Sequence, residues 1–272
     1  MDLEAVKDLK VLVLGDAIID EYVYVNPLGK SIKDNMISTQ YLRKESFRGG
    51  CWAGAEHIRD FCFVESMVGP SLTTNRRFVE EAYTRKLFVV HEHQPISGRV
   101  ERDFKAYDLV VVTDFGHGCM VPELIEKVCK EAKYLAVNTQ TNTSNFGFNM
   151  ITKYPRADYV VVDELEARLA VHDKHSSLEE VIQKLGFKKI IVTRGYKGAI
   201  GYDGTYAQMD AKAQKVVDTM GAGDAFLCVS SLFACVGYSL SDLLRIGNAA
   251  AAVKIANVGQ HPVTKEDLKA YL

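Results

Sequence analysis

Long apolar runs are missing from this chain. None approaches the roughly 18–20 consecutive apolar residues that a membrane helix needs. The first ten residues, Met1 to Lys10, are charged and have no apolar centre, so no secretory leader is expected there. An excess of one charge is missing too, with 33 Lys and Arg against 35 Asp and Glu, a net charge of −2. No basic block occurs, which gives no reason to expect nucleic acid or an anionic membrane as partner. The six cysteines (Cys51, Cys62, Cys119, Cys129, Cys228 and Cys235) form no Cys-x-x-Cys pair, and most lie in apolar segments. They read as reduced, buried thiols of a cytoplasmic protein rather than as disulfides or zinc ligands. His91-Glu92-His93 alternates as a strand does and has no third ligand nearby, so it reads as a solvated strand face. Two nucleotide fingerprints also fail. Gly29-Lys30-Ser31 looks like the end of a P-loop, but Tyr24 stands where the first glycine is required. Gly116-His117-Gly118 has Val121 in place of the third dinucleotide glycine.

What is present is the composition of a globular chain, 47% hydrophobic and 25% charged over 272 residues, a length that α/β proteins often fold as one domain. Lys10 to Gly15 reads as a buried parallel strand, with Asp16 and Asp20 just past its end. Carboxylates at a strand's carboxyl end either bind ligand hydroxyls or are solvated turn acids, and both readings stand at this point. Tyr22–Val25 and Ile37–Tyr41 read as antiparallel strands. Gly49-Gly50 precedes a helical pattern over Cys51–Phe61. From Tyr107 the rhythm is β-α-β-α: strands at Leu109–Asp114, Leu135–Asn138, Tyr159–Asp163 and Lys189–Thr193, with helices at Pro122–Ala132, Glu164–Val171 and Ser177–Leu185. The polar stretch Asn138–Asn149 reads as the longest loop. Two long helices, Ala222–Val236 and Ser241–Asn257, close the pattern, and Ala249 to Ala252 predict close packing between them.

The most informative stretch is Asp218-Thr219-Met220-Gly221-Ala222-Gly223-Asp224. A glycine-rich turn feeding a helix start gathers unpaired N–H groups at the positive end of the helix dipole, which suits an anion. Asp224 then falls in the first helical turn. It is either a helix-start carboxylate or a base placed to take a proton from a hydroxyl attacking a phosphate.

In order along the chain, Gly15-Asp16 with Asp20, Gly49-Gly50, Asp163-x-x-Glu166, Thr193-Arg194-Gly195 and the 218–224 string resemble the ribokinase-like (PfkB) carbohydrate kinases. The spacing Gly15-Asp16-x3-Asp20-x-Tyr22 is most similar to the heptose-phosphate kinases of ADP-heptose synthesis. The resemblance implies one α/β kinase domain over 1–272, a three-layer α/β/α fold with a mostly parallel central sheet and a small antiparallel β lid at about 21–47 and 76–104. It implies ATP and Mg²⁺ as cofactors, and a sugar or sugar phosphate as acceptor. In that reading Asp224 is the base and Gly221, Ala222 and Gly223 form the anion hole. Asp16, Asp20, Gly49 and Gly50 face the sugar. Asn138, Thr193, Gly195, Gly198, Thr219 and Asn248 line the nucleotide, and Asp163 and Glu166 organise the magnesium through water. The lid offers an edge through which two copies pair.

Three features depart from the family pattern. No Asn follows Gly49-Gly50, and Trp52 is expected to fill space where a sugar would sit. Asp163 stands where the magnesium motif has Asn, and the segment from Gly69 to Arg76 is short. These departures leave two alternatives: a catalytically impaired binder of sugar phosphate or nucleotide, and a kinase of a nucleoside or other non-sugar alcohol with Trp52 and Phe47 stacking a base.

Overall fold

The computed structural model describes residues 1–95, 101–213 and 215–272. Its strands are β1 (Lys10–Lys30), β2 (Ile37–Gly50), β3 (Phe63–Glu80), β4 (Arg85–Pro95), β5 (Leu109–Asp114), β6 (Leu135–Thr139), β7 (Tyr159–Asp163), β8 (Ile190–Thr193), β9 (Ala199–Tyr202) and β10 (Tyr206–Met209). Its helices are α1 (Cys51–Glu56), α2 (Pro122–Glu131), α3 (Glu164–Ala170), α4 (Leu178–Leu185), α5 (Ala222–Cys235), α6 (Leu240–Ile255) and α7 (Lys265–Lys269). The strands form one sheet in the order β10-β9-β8-β7-β6-β5-β1-β3-β4, with β2 paired to β1. Pairing is parallel from β8 across to β3 and antiparallel at β8–β9, β9–β10, β1–β2 and β3–β4.

Side-chain alternation builds the layers. Val11 and Val13 point to one face with Val111, Ala136 and Ile191, and pack on α1, α5 and α6. Leu12 and Leu14 point to the other with Val112, Val137 and Val162, and pack on α2 and α4. The central strands are therefore apolar on both faces, as a covered parallel sheet requires. The ring of Phe226 on α5 lies against Gly247 on α6, where a Cβ would come within 2.3 Å of it, so the close packing of these helices also rests on that glycine.

The first two core strands do not stop where their apolar runs end. β1 continues past Asp16, and β3 continues past Gly69 with no helix between its halves. Their mutual pairing survives one register irregularity between Gly15 and Ala17 and resumes from Ala17↔Leu72 to Val25↔Glu80. Each strand keeps the same partner across the bend, so no break in the ladder is needed. β2 and β4 flank them, giving a four-stranded extension whose central pair is parallel and whose outer pairs are antiparallel. Residues 96–100 of the predicted segment 76–104 lie outside the described residues. Helix α1 is shorter than its pattern suggested, with His57 as its C-cap. Among the described residues, no helix is long and apolar enough to cross a membrane.

Candidate active site

The middle of β1, the loops after β5, β6 and β8 and the junction of β7 with α3 meet at the carboxyl edge of the sheet, where open α/β sheets collect ligands. Into this edge points the start of α5. Its N-cap, Gly221, has φ 75°, a left-handed conformation that strains other residues. A Cβ on Gly223 would meet nothing within 4 Å, so the first turn faces open space. Asp224, one residue on, is 5% exposed. Gln140 Nε2 donates to its Oδ1 at 2.6 Å. Burial above all, and then the charge of Asp20, push the Asp224 carboxyl up to about 7 against the pull of Lys254 and Gln140.

On one side of this turn lies a cavity of about 530 Å³ between α5, α6 and the β8–β9 connection. It brings together Thr193, Gly195, Gly198, Thr219, Ala222, Gly223 and Asn248. Its walls are largely apolar, with Val216, Phe226, Ala251, Ala252 and Ile255. Asn248 is buried and its Nδ2 has no partner among the described residues. Gly198 is required where it stands, since a Cβ would lie 2.0 Å from the Met209 carbonyl.

On the other side lies a smaller cavity of about 170 Å³, reached by Asp20, Gly50, Asn75, Arg77, His91, His117, Gln140, Asn142, Gly221, Asp224 and Gln260. The period of two in the extension explains the grouping. Asp20 pairs in register with Asn75, so Asp20, Asn75 and Arg77 share one face. On β4, His91 bonds the Asn75 side chain through Nδ1 at 2.8 Å. Arg77 bonds Asp20 directly, and Asn75 Nδ2 and Gln260 Nε2 each donate to Asp20 at 3.4 Å. On the opposite face Glu21 pairs with Lys44 and Arg76, and these charges hold its carboxyl below its usual range. Further along the inner face, Tyr22 donates its hydroxyl to Asp218 Oδ2 at 3.0 Å and Lys86 reaches Asp218 Oδ1 at 3.2 Å. The extension is thus fastened to the residues that lead into α5.

The loop after β6 supplies the floor. Asn142 and Asn145 Nδ2 donate to the Phe115 carbonyl at 2.9 and 2.8 Å, and Asn149 Nδ2 donates to the Asp114 carbonyl at 2.9 Å. The stretch predicted as a long polar loop is therefore a tied platform that presents Gln140 and Asn142.

Several predicted residues stand elsewhere. Asp16 is fully buried, and its carboxylate accepts from the backbone N–H groups of Phe115, His117 and Cys119 at 2.9, 3.3 and 3.0 Å. It ties down the loop after β5 and reaches neither cavity. Burial raises its carboxyl, outweighing those backbone bonds. Gly49 lies against Asp20, where a Cβ would come within 2.6 Å of the carboxylate. Asn138 is buried, donates to the Val161 carbonyl at 2.8 Å and lines neither cavity. Trp52 packs partly on the core with the Arg48 guanidinium 5.4 Å from its ring centre, and does not reach the smaller cavity. Phe47 packs edge-on to Tyr22 at 5.6 Å and is absent from it too. Arg77 and His91, readable in the sequence as solvated side chains, line the smaller cavity, and Asn75, His117, Gln140, Asn142 and Gln260 are the residues sequence reasoning missed. For Gln140 and Asn142 a signal existed in the asparagine-rich stretch directly after a strand's carboxyl end.

Asp163 and Glu166 form the capping box of α3. Glu166 N–H donates to the Asp163 carboxylate at 2.7 Å, and Glu166 accepts from the N–H groups of Asp163 and Thr141 at 2.8 and 2.9 Å. Burial, and then the charges of Asp163 and Asp224, raise the Glu166 carboxyl. Among the described residues no three His, Cys, Asp or Glu side chains are grouped to hold a metal directly. Two bonded carboxylates near a third suit a hydrated cation better than a bare one, because each oxygen keeps a lone pair for a water.

The chain has relatives in sequence and in fold. The bifunctional protein HldE of Desulfatibacillum aliphaticivorans is 26% identical over 324 residues, an alignment covering all of this chain and 64% of that protein. The chain spans less than two thirds of the length of such curated relatives. Ribokinase from Thermotoga maritima superposes with a TM-score of 0.74 at 17% identity, covering 97% of this chain and 99% of that one. A ribokinase of Arabidopsis thaliana, complexed with ribose and ATP, superposes with a TM-score of 0.68 at 17% identity over 96% of this chain and 98% of that one. The model of the pfkB family carbohydrate kinases matches residues 75–266, which is most of the sequence, and the chain belongs to that family.

Proposed function

We propose that the chain transfers the terminal phosphoryl group of ATP to a hydroxyl of a sugar or sugar phosphate. One observation carries this reading: the first turn of α5 separates a large cavity from a smaller one into which charged and amide side chains converge, with Gly223 facing the first and Asp224 the second. The adenosine of ATP fits the larger cavity beside Asn248, and its phosphates run toward the backbone N–H groups at the Gly221-Ala222-Gly223 turn. The acceptor sits in the smaller cavity, its hydroxyls on Asp20 and Arg77 through charge-assisted hydrogen bonds. Asp224 takes the proton of the attacking hydroxyl as the oxygen forms its bond to phosphorus. The bond to the ADP oxygen breaks, and the turn holds the charge of the phosphoryl oxygens in flight. Mg²⁺ bound to the nucleotide would be held through water by Glu166 and Asp163, and would neutralise phosphate charge.

Residues 1–272 act in this reading as one kinase domain, with the β2-β1-β3-β4 extension as the lid that shuts the smaller cavity from solvent. Its flanking strands expose Tyr41 on β2 and Phe88 and Val90 on β4, and a second copy would pair there; sedimentation showing only monomer at high concentration would exclude it. The activity itself is tested with a panel of sugars and sugar phosphates, ATP and Mg²⁺, scoring ADP release. Turnover of at least one sugar or sugar phosphate supports the reading. Thermal stabilisation by a sugar phosphate without ADP release would favour a binding protein instead.

A further inference from the structure

Lys254 lies in the last turn of α6, where a lysine ordinarily stretches into water and complements the helix dipole. This one is 0% exposed, and its Nζ has no hydrogen-bond partner among the described residues. A methyl group placed on Gly221 would lie 3.4 Å from Lys254 Cε and 3.9 Å from an Asp224 carboxylate oxygen. The side chain therefore runs directly beneath the turn that opens α5. Gln260 Oε1, 3.2 Å from the same point, is also buried without a partner. An ammonium sealed from water without an acceptor is costly, and it persists where surrounding charge compensates it. Here the acidic groups are Asp20 on β1, Asp218 before α5 and Asp224 on α5; the basic ones are Lys86 on β4 and His57 after α1. Burial holds the ammonium below its usual range, while the three carboxylates pull it back up.

We propose that Lys254 is the resident cation of the transfer site, a positioning residue that holds Asp224 and the Gly221 turn in their working arrangement while phosphate charge gathers at the start of α5. The inference rests on the phosphoryl-transfer reading above. Asp20, Asp218 and Asp224 are three acidic groups packed around one helix start. Arg77 and Lys86 pair with the first two, Asp224 has no such partner among the described residues, and an incoming polyphosphate adds negative charge. A fixed buried cation beneath the turn offsets that repulsion without having to be recruited from solution. It acts through Asp224 and the backbone of the turn.

The test uses the full chain with the best acceptor from the panel. K254M keeps the volume and removes the charge; K254A opens a space for an added amine. We expect both to fold, and K254M to lose about 100-fold in kcat with each KM changed less than about threefold. Methylammonium should restore K254A by about tenfold or more and leave K254M unchanged, because only the alanine variant has room for it. A K254M kcat within about threefold of wild type, or no amine rescue of a folded K254A, overturns the proposal. If neither variant folds, the wild type decides. Its kcat should hold within about twofold when tetramethylammonium replaces all sodium and potassium, and a collapse reversed by potassium overturns the proposal. A wild type that transfers no phosphoryl group overturns both readings, whereas an active wild type with an equally active K254M overturns this one alone.

Discussion

The two cavities that flank the first turn of α5 share an apolar lining and differ in the charged and amide groups set into it. The larger has Phe226, Ala251, Ala252 and Ile255 in its walls and a single buried amide, Asn248. The smaller is faced by Asp20, Arg77, His91, His117 and Gln140, with Ile18, Phe115 and Met220 completing its wall. Their construction differs as much as their chemistry. Every residue of the larger cavity falls between Thr193 and Ile255. The smaller draws on β1, the end of β2, β3, β4, the loops after β5 and β6, the start of α5 and Gln260, from Ile18 to Gln260 along the chain. A flat apolar slot can be made by two neighbouring helices and a turn. A polar pocket must converge side chains from several directions, because each donor has to be aimed at a particular acceptor. Asp224 belongs to the polar side although it is carried by the same helix as the apolar one. Substitutions on the two sides should therefore separate the kinetic constants for the two substrates.

The most damaging substitution falls on the boundary. D224N keeps the shape and loses the base, and kcat should fall by about 10³-fold or more while nucleotide affinity, read by calorimetry, changes little. The pH profile carries the same signature. Burial and Asp20 push the Asp224 carboxyl up to about 7. A base must be deprotonated to act, so kcat/KM should rise with pH toward about 7 and level off above it. Near-normal turnover by D224N would leave the boundary without its chemistry.

Arg77 comes next, because it touches only the polar side. R77M should raise KM for the acceptor by about 10- to 100-fold, the loss of a charge-assisted hydrogen bond, with KM for ATP nearly unchanged. The sign of a second effect follows from Asp20. Without its guanidinium partner, the Asp20 charge acts more strongly on Asp224, so the acid limb of the pH profile should move to higher pH. Equal effects on both substrates would mean that the two cavities are not independent.

These differences also decide what could be read from the sequence. The core strands were legible from continuous apolar runs, and the larger cavity largely from one short string and two small-residue helices, since its parts are close in sequence. The turn at Gly221–Gly223 announces itself by its glycines. The smaller cavity offers no such string. Arg77 looks like any exposed arginine until β3 is known to pair with β1 in a register that puts Asp20 beside Asn75. Asp16 misleads for a related reason. A carboxylate at a strand end is equally suited to a ligand or to loop N–H groups, and three of those N–H groups come from a loop about 100 residues away. Lys254 is the extreme case: its place at a helix C-terminus suggests solvent, and only the packing of α6 beneath the Gly221 turn puts it inside.

On the apolar side, N248A removes the one buried amide of the cavity. The expected loss is about 1 kcal/mol of binding, or roughly fivefold in KM for ATP, with the acceptor constant unchanged. That is smaller than the Arg77 effect because a neutral amide bond is weaker than a charged one. An N248A enzyme that binds ATP normally but discriminates poorly among acceptors would reverse the assignment of the two cavities.

The smallest effect should come from the residue that, in the sequence, looked most obstructive. Trp52 follows Gly49-Gly50 and invites the idea of a bulky ring in the acceptor's place. Its ring instead packs beside the core under Arg48, with Gly50 between it and the smaller cavity in the chain. W52F keeps an aromatic face but weakens the cation–π contact and leaves some volume unfilled, at a cost of about 1 kcal/mol in stability. A drop of a few degrees in Tm is therefore expected, with KM for both substrates within about twofold of wild type. If W52F instead changes which acceptor is preferred, the ring borders the substrate after all, and the smaller cavity extends further along α1 than its lining residues imply.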